Sequence, residues 1–238
     1  MNLKRLLCAI LREDTDRKAG RRNVLIKEFC AENFTQIPRA IAAGAKRIEL
    51  CDNLTVGGTT VSKGVLIETK KYCDKKNIPV MVLIRPRGGN FVYNDIELKI
   101  MEHDILEAKK MGVSGVVIGC LDESGWLDEE AMKLLIAAAE GMQITFSMAF
   151  DVMPKDNQFQ AIDWLVHHGV DRILTHGGPL STPIEIQLEY IRDLISYANQ
   201  RILILPGGGI TFENVESISS FLKVNEIHGS QIVNLNFL

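Results

Sequence analysis

Two short stretches carry the same pair of reactive side chains. IKEFCAEN places Glu28 and Cys30 two residues apart, and RIELCDN does the same with Glu49 and Cys51, with Arg47 two residues before Glu49. Both stretches read as β-strands. Side chains on a strand alternate faces, so each Glu-x-Cys pair, together with Arg47 on the second strand, shares one face. Sequential strands of an α/β sheet are often neighbours, which predicts that the two pairs lie side by side and gather two thiols and two carboxylates. Such a group can move protons or hold a ligand. With Arg47 neutralising the glutamates, it can also fill a core as a packed ion network.

Further candidates follow other strands. LIRPRGGNF ends a strand with Arg85 pointing inward, and it places Arg87 in the loop within reach of an anionic ligand. Asp151 in FSMAFDVMP stands just past a strand, where it serves as acid, base, ligand or turn former. LPGGGIT offers Gly207, Gly208 and Gly209, whose backbone N–H groups suit phosphate, and HGGP at 176–179 repeats the glycine pair. EIHGS sets Glu226, His228 and Ser230 on one face. His103 fits the surface of an amphipathic helix, and His167 with His168 fits a helix end.

The elements that position these residues alternate between short apolar runs and longer amphipathic ones. Eight strands are expected at 24–30, 47–51, 79–85, 115–120, 143–148, 171–176, 201–206 and 226–230. Seven helices are expected between them, at about 35–43, 63–77, 94–111, 128–140, 157–168, 184–199 and 213–222. AAGAKR, KMGVSG and HHGVDR each place Gly where a left-handed residue closes a helix. This is the arithmetic of a single-domain (β/α)8 TIM barrel, with active sites gathering at the carboxyl ends of the strands. A doubly wound sheet fits less well, because the first turn lacks the Gly-x-Gly-x-x-Gly fingerprint. After EIHGS only QIVNLNFL remains, so the eighth helix is expected to be missing or replaced.

Composition sets the wider limits. The chain has 238 residues, of which 46% are hydrophobic and 24% charged, enough for one large core. A net charge of −3 without a basic stripe argues against nucleic acid. Five scattered cysteines do not form a secreted disulfide framework, which points to reduced thiols and the cytoplasm. The only apolar run near the start, Leu6 to Leu11, is too short to span a membrane. The organisation expected is an N-terminal extension (1–23), a barrel domain (24–233) and a short tail (234–238).

EFCAEN, RIELCDNLTVGGTT, LIRPRGG with the spaced HD at 103–104, AFD, DRILT, LPGGGI and EIHGS, in that order, resemble the CutC copper-homeostasis proteins over roughly residues 25–231. The resemblance implies a TIM barrel, a cytoplasmic location and a role in copper handling, with Cys30 and Cys51 as copper(I) ligands. Two departures stand out. Ser147 and Met148 occupy the positions where members typically have His-Arg, and His176, at the end of the next strand, is expected to compensate. Members also usually continue past the eighth strand into a further segment.

The expected function is therefore a cytosolic CutC-like protein binding copper(I) through thiols at the barrel mouth. The alternative is a barrel enzyme acting on a small anionic substrate through Glu28, Glu49, Arg85, Asp151 and His228, with Arg87 and the Gly207–Gly209 loop holding the anion. The thiols are expected within a few ångströms of each other, because adjacent strands lie about 4.8 Å apart. Glu28 and Glu49 would oppose thiolate formation unless Arg47 or Arg85 neutralises them. Leu3, Leu6, Leu7, Ile10 and Leu11 follow helical spacing and predict a packed helix over 2–12. The incomplete outer ring predicts a homodimer or larger homo-oligomer.

Overall fold

A computed structural model describes residues 24–237, so the expected helix over 2–12 lies outside the described residues. Eight parallel strands form the barrel: β1 (Ile26–Glu32), β2 (Arg47–Cys51), β3 (Val80–Leu83), β4 (Gly115–Ile118), β5 (Gln143–Phe146), β6 (Arg172–Thr175), β7 (Leu203–Pro206) and β8 (Glu226–Gly229). Their order around the barrel is β7-β6-β5-β4-β3-β2-β1-β8. The β7–β8 seam is spanned by an isolated bridge between Thr211 and Gln231, with Phe212 N donating to Gln231 O at 2.8 Å.

Seven helices pack outside the strands: α1 (Ile37–Ala42), α2 (Lys63–Asp74), α3 (Asp95–Lys110), α4 (Glu129–Ala138), α6 (Lys155–His167), α7 (Ile184–Ala198) and α8 (Val215–Leu222). An extra short helix, α5 (Ala149–Val152), follows β5 and carries Asp151, a turn that periodicity does not reveal. Among the described residues no further α-helix follows β8. The described residues instead bury Ile232 and Val233 and include a 3-10 turn, Leu235–Phe237. No helix of the described residues is long and apolar enough to cross a membrane.

Local sequence accounts for these boundaries. Asn94 opens α3 with a capping box, accepting from the backbone of Ile96 and Glu97 while Glu97 accepts from Asn94 N. Gly44, Gly112 and Gly169 adopt positive φ just past α1, α3 and α6, as the three glycine signals predict. Between strands and helices lies one continuous apolar layer that includes Phe29, Ile48, Val82, Val116, Phe146 and Ile173. The alternate residues of the same strands face the lumen, where Cys30, Cys51, Met81, Leu83 and Val117 form a separate small cluster. The barrel thus holds an apolar shell outside and a mixed polar stripe inside.

Candidate functional site

Strand register decides how the stripe assembles. Glu28 pairs across the ladder with Arg47 on one side and His228 on the other, and Cys30 pairs with Glu49. Cys51 stands opposite Glu32. The two Glu-x-Cys pairs are therefore staggered by two residues rather than side by side, which corrects the simplest reading of their spacing. The stagger still brings the thiols together diagonally, with Cys30 Sγ and Cys51 Sγ 3.8 Å apart. Cys51 Sγ also lies 3.6 Å from Ala31 O.

Below the thiols sits a charged floor. Arg47 Nε donates to Glu28 Oε2 in a very short contact, and Arg47 Nη1 donates to Glu226 Oε2 at 2.6 Å. Arg47 Nη2 is buried without a partner among the described residues. Arg172, which the sequence reading passed over, completes this layer by donating to Thr145 Oγ1 at 3.1 Å and Gln143 Oε1 at 2.9 Å. Its signal was available: Arg172 and Leu174 alternate along β6 as Arg47 and Glu49 do along β2.

His228 links the floor to the thiols. A carboxylate only accepts, so the 2.8 Å contact between His228 Nδ1 and Glu28 Oε1 is an Nδ1–H donation. His228 Nε2 then faces Glu49 Oε2 at 3.6 Å. One ligand atom each from Cys30, Glu49 and His228 fall within 4.8 Å of one another, and all three residues are buried.

Burial and neighbouring charge set the protonation of the group. Burial alone would raise Glu28, but the His228 hydrogen bond and the Arg47 and His228 charges hold it down at about 2. Burial raises Glu49, against the pull of His228. Burial would lower His228, yet the Glu49 and Glu28 carboxylates leave it raised. The Cys51 contact, then burial, then Glu49 push the Cys30 thiol well above its ordinary range. Arg47 is committed to Glu28 and Glu226, and the Cys51 contact, burial and Glu49 together favour the protonated Cys30 thiol.

These groups open into a cavity of about 410 Å³ whose lining includes Cys30, Glu49, Cys51, Ser147, Met148 and His228. Gly208 and Gly209 line it too, while the Gly207 N–H donates to Thr175 O at 2.9 Å. A side chain at Gly207 would meet Leu174 at 2.7 Å and His228 at 3.0 Å, so only glycine lets β7 pass this close to the histidine. A wider cleft of about 830 Å³ adjoins the cavity, sharing Cys30, Leu54, Ser230 and Gln231.

Other predicted residues are placed elsewhere. Arg85 touches the cavity, but its guanidinium donates to Val56 O, Gly58 O and Gly89 O at 2.9, 3.0 and 2.7 Å, fastening the loops after β2 and β3. Arg87 is held by Glu97 at 2.5 Å and by Val92 O at 2.7 Å, away from the glycine loop. Asp151 accepts from Thr175 Oγ1, His176 N and Gly177 N at 2.5, 2.8 and 3.0 Å, bracing the loop after β6. The His176 ring lies against the Gly208 and Thr182 carbonyls, so it does not enter the cavity in place of a strand-five histidine.

The chain was compared with known proteins. The model of the CutC family matches residues 25–233. A CutC family protein of Enterococcus faecalis is 66% identical over 209 residues, covering 88% of this chain and 100% of that one. A human protein called a copper homeostasis protein cutC homolog is 40% identical over 213 residues, 90% of this chain and 76% of its own length. A crystal structure of a copper homeostasis protein CutC from Streptococcus agalactiae superposes with a TM-score of 0.86 at 48% identity, covering 88% of this chain and 100% of that one. An aldolase with a TM-score of 0.64 at 15% identity shares the fold alone.

Proposed function

The chain belongs to the CutC family, and from that premise we propose that it binds copper(I) through Cys30 and Cys51 at the barrel mouth and handles copper in the cytosol. The observation that carries this reading is the 3.8 Å separation of the two sulfurs within one cavity. Soft thiolates select copper(I), and two suffice for a near-linear site. With metal–sulfur bonds of about 2.3 Å, as in zinc thiolates, such an ion holds its sulfurs up to about 4.6 Å apart, so the thiols need separate by roughly 0.8 Å. Relatives named for copper homeostasis support the same assignment.

The rival enzyme would draw on Glu28, Glu49, Arg85, Asp151 and His228, with Arg87 and the Gly207–Gly209 loop holding a small anion. Glu49, His228, Gly208 and Gly209 do line the cavity, but Arg85, Arg87 and Asp151 are engaged in bracing loops, and Asp151 and Arg87 stand away from the cavity lining. Titration of the reduced protein with copper(I) against a competing chelator separates the two readings. The Cys30→Ser, Cys51→Ser double variant should lose competitive binding, while Asp151→Asn keeps it. Unchanged affinity in the double variant would remove these thiols as the site.

A further inference from the structure

The thiol pair leaves part of the cavity floor unexplained. Glu28 accepts from His228 Nδ1–H, so Nε2 is the nitrogen turned toward Glu49 and Cys30, with Glu49 Oε2 at 3.6 Å beyond hydrogen-bond range, and a metal bound there would displace any proton on Nε2. This arrangement, a carboxylate holding the far nitrogen of a histidine, is the support that metal-ligating histidines ordinarily have. Arg47 keeps Glu28 available for it by pairing with the carboxylate's other oxygen.

We propose that Cys30 Sγ, Glu49 and His228 Nε2 form a second metal site, one for a divalent borderline cation such as zinc(II), with a fourth position open to the cavity. A tetrahedral ion with bonds of roughly 2.0–2.3 Å holds its ligands about 3.5 Å apart. The imidazole and Glu49 are already at 3.6 Å, and with all three ligand atoms within 4.8 Å of one another the remaining approach is on the order of 1 Å. Charge selects the ion. Glu28 is neutralised by Arg47, so a thiolate, a carboxylate, a neutral imidazole and a divalent cation sum to zero in a buried site. A monovalent ion on the same three ligands would leave a buried negative charge.

Three protein ligands and one open position is the composition of zinc sites that bind a water or a substrate oxygen, whereas closed structural sites use four protein ligands. All three residues line the 410 Å³ cavity, so the open position faces a space that admits a small molecule. Cys30 belongs to both metal sites. Zinc(II) at the trio and copper(I) on the thiol pair therefore exclude each other.

The test uses the reduced, metal-stripped full chain titrated with cobalt(II), followed by zinc(II). Wild type should show a sulfur-to-cobalt charge-transfer band with the intense visible bands of a four-coordinate ion, both abolished by zinc(II). Cys30→Ser should lose the charge-transfer band. His228→Gln should weaken cobalt binding by more than roughly 100-fold, since outer-shell partners alone are worth 10- to 100-fold. Cys51→Ser should keep both signals while losing copper(I), which separates this site from the thiol-pair reading. The weak spectrum of six-coordinate cobalt in wild type would overturn the proposal. So would equal loss in Cys51→Ser, or an unchanged affinity in a folded His228→Gln variant.

Discussion

Arg47 and Glu28 are almost wholly buried, and each holds the other's charge in a place that water does not reach. Removing one partner from such a pair leaves the other uncompensated. Arg47→Met should therefore cost roughly 3–5 kcal/mol in urea unfolding, and a loss near zero would mean that Glu28 is satisfied by His228 alone. Because Glu28 sits at about 2 in the folded chain against an ordinary 4.5, its contribution to stability is fully present above 4.5 and is lost as pH falls toward 2. The urea midpoint should drop across that acid window, with a shallower drop in Glu28→Gln. Equal slopes would show that other carboxylates carry the acid limb. Cys30 gives the opposite limb. Its pKa is held well above the ordinary thiol range, and a copper(I) ion bound there would have to displace the proton, so apparent copper affinity should rise with pH through the neutral and alkaline range. A pH-independent affinity would mean that the metal bypasses this thiol.

At the scale of strands and loops, the alternation of Arg47, Glu49 and Cys51 made the inward face legible, and the helix-ending glycines marked α1, α3 and α6. Register was not legible, because alternation fixes a face but not the height of one strand against the next. That is why Cys30 meets Glu49 across the ladder and reaches Cys51 only diagonally. The roles of Arg85, Arg87 and Asp151 were hidden for a related reason: their partners are mostly backbone groups of loops, which side-chain spacing does not encode. Asp151 accepts hydrogen bonds from Thr175 at the end of β6 and from His176 and Gly177 in the loop after it, and burial raises it against them. Asp151→Ala should cost about 1–3 kcal/mol of stability by leaving donors unpaired, with copper(I) affinity retained. A variant that stayed fully stable but lost copper would return Asp151 to the site.

At the scale of the whole molecule, the barrel is laddered everywhere except between β7 and β8. A cleft of about 500 Å³ marks that seam, with the half-buried Ile195 and Val224 in its lining. Covering such apolar surface favours association. We predict a homodimer or larger assembly, checked by light scattering over a wide concentration range, and a monomer throughout would contradict it. The account as a whole rests on the two thiols acting together as the copper ligands, which X-ray absorption of the copper(I)-loaded, reduced full chain reads directly. Two sulfur scatterers around a low-coordinate copper(I) are predicted; a shell of nitrogen and oxygen without sulfur would contradict the account.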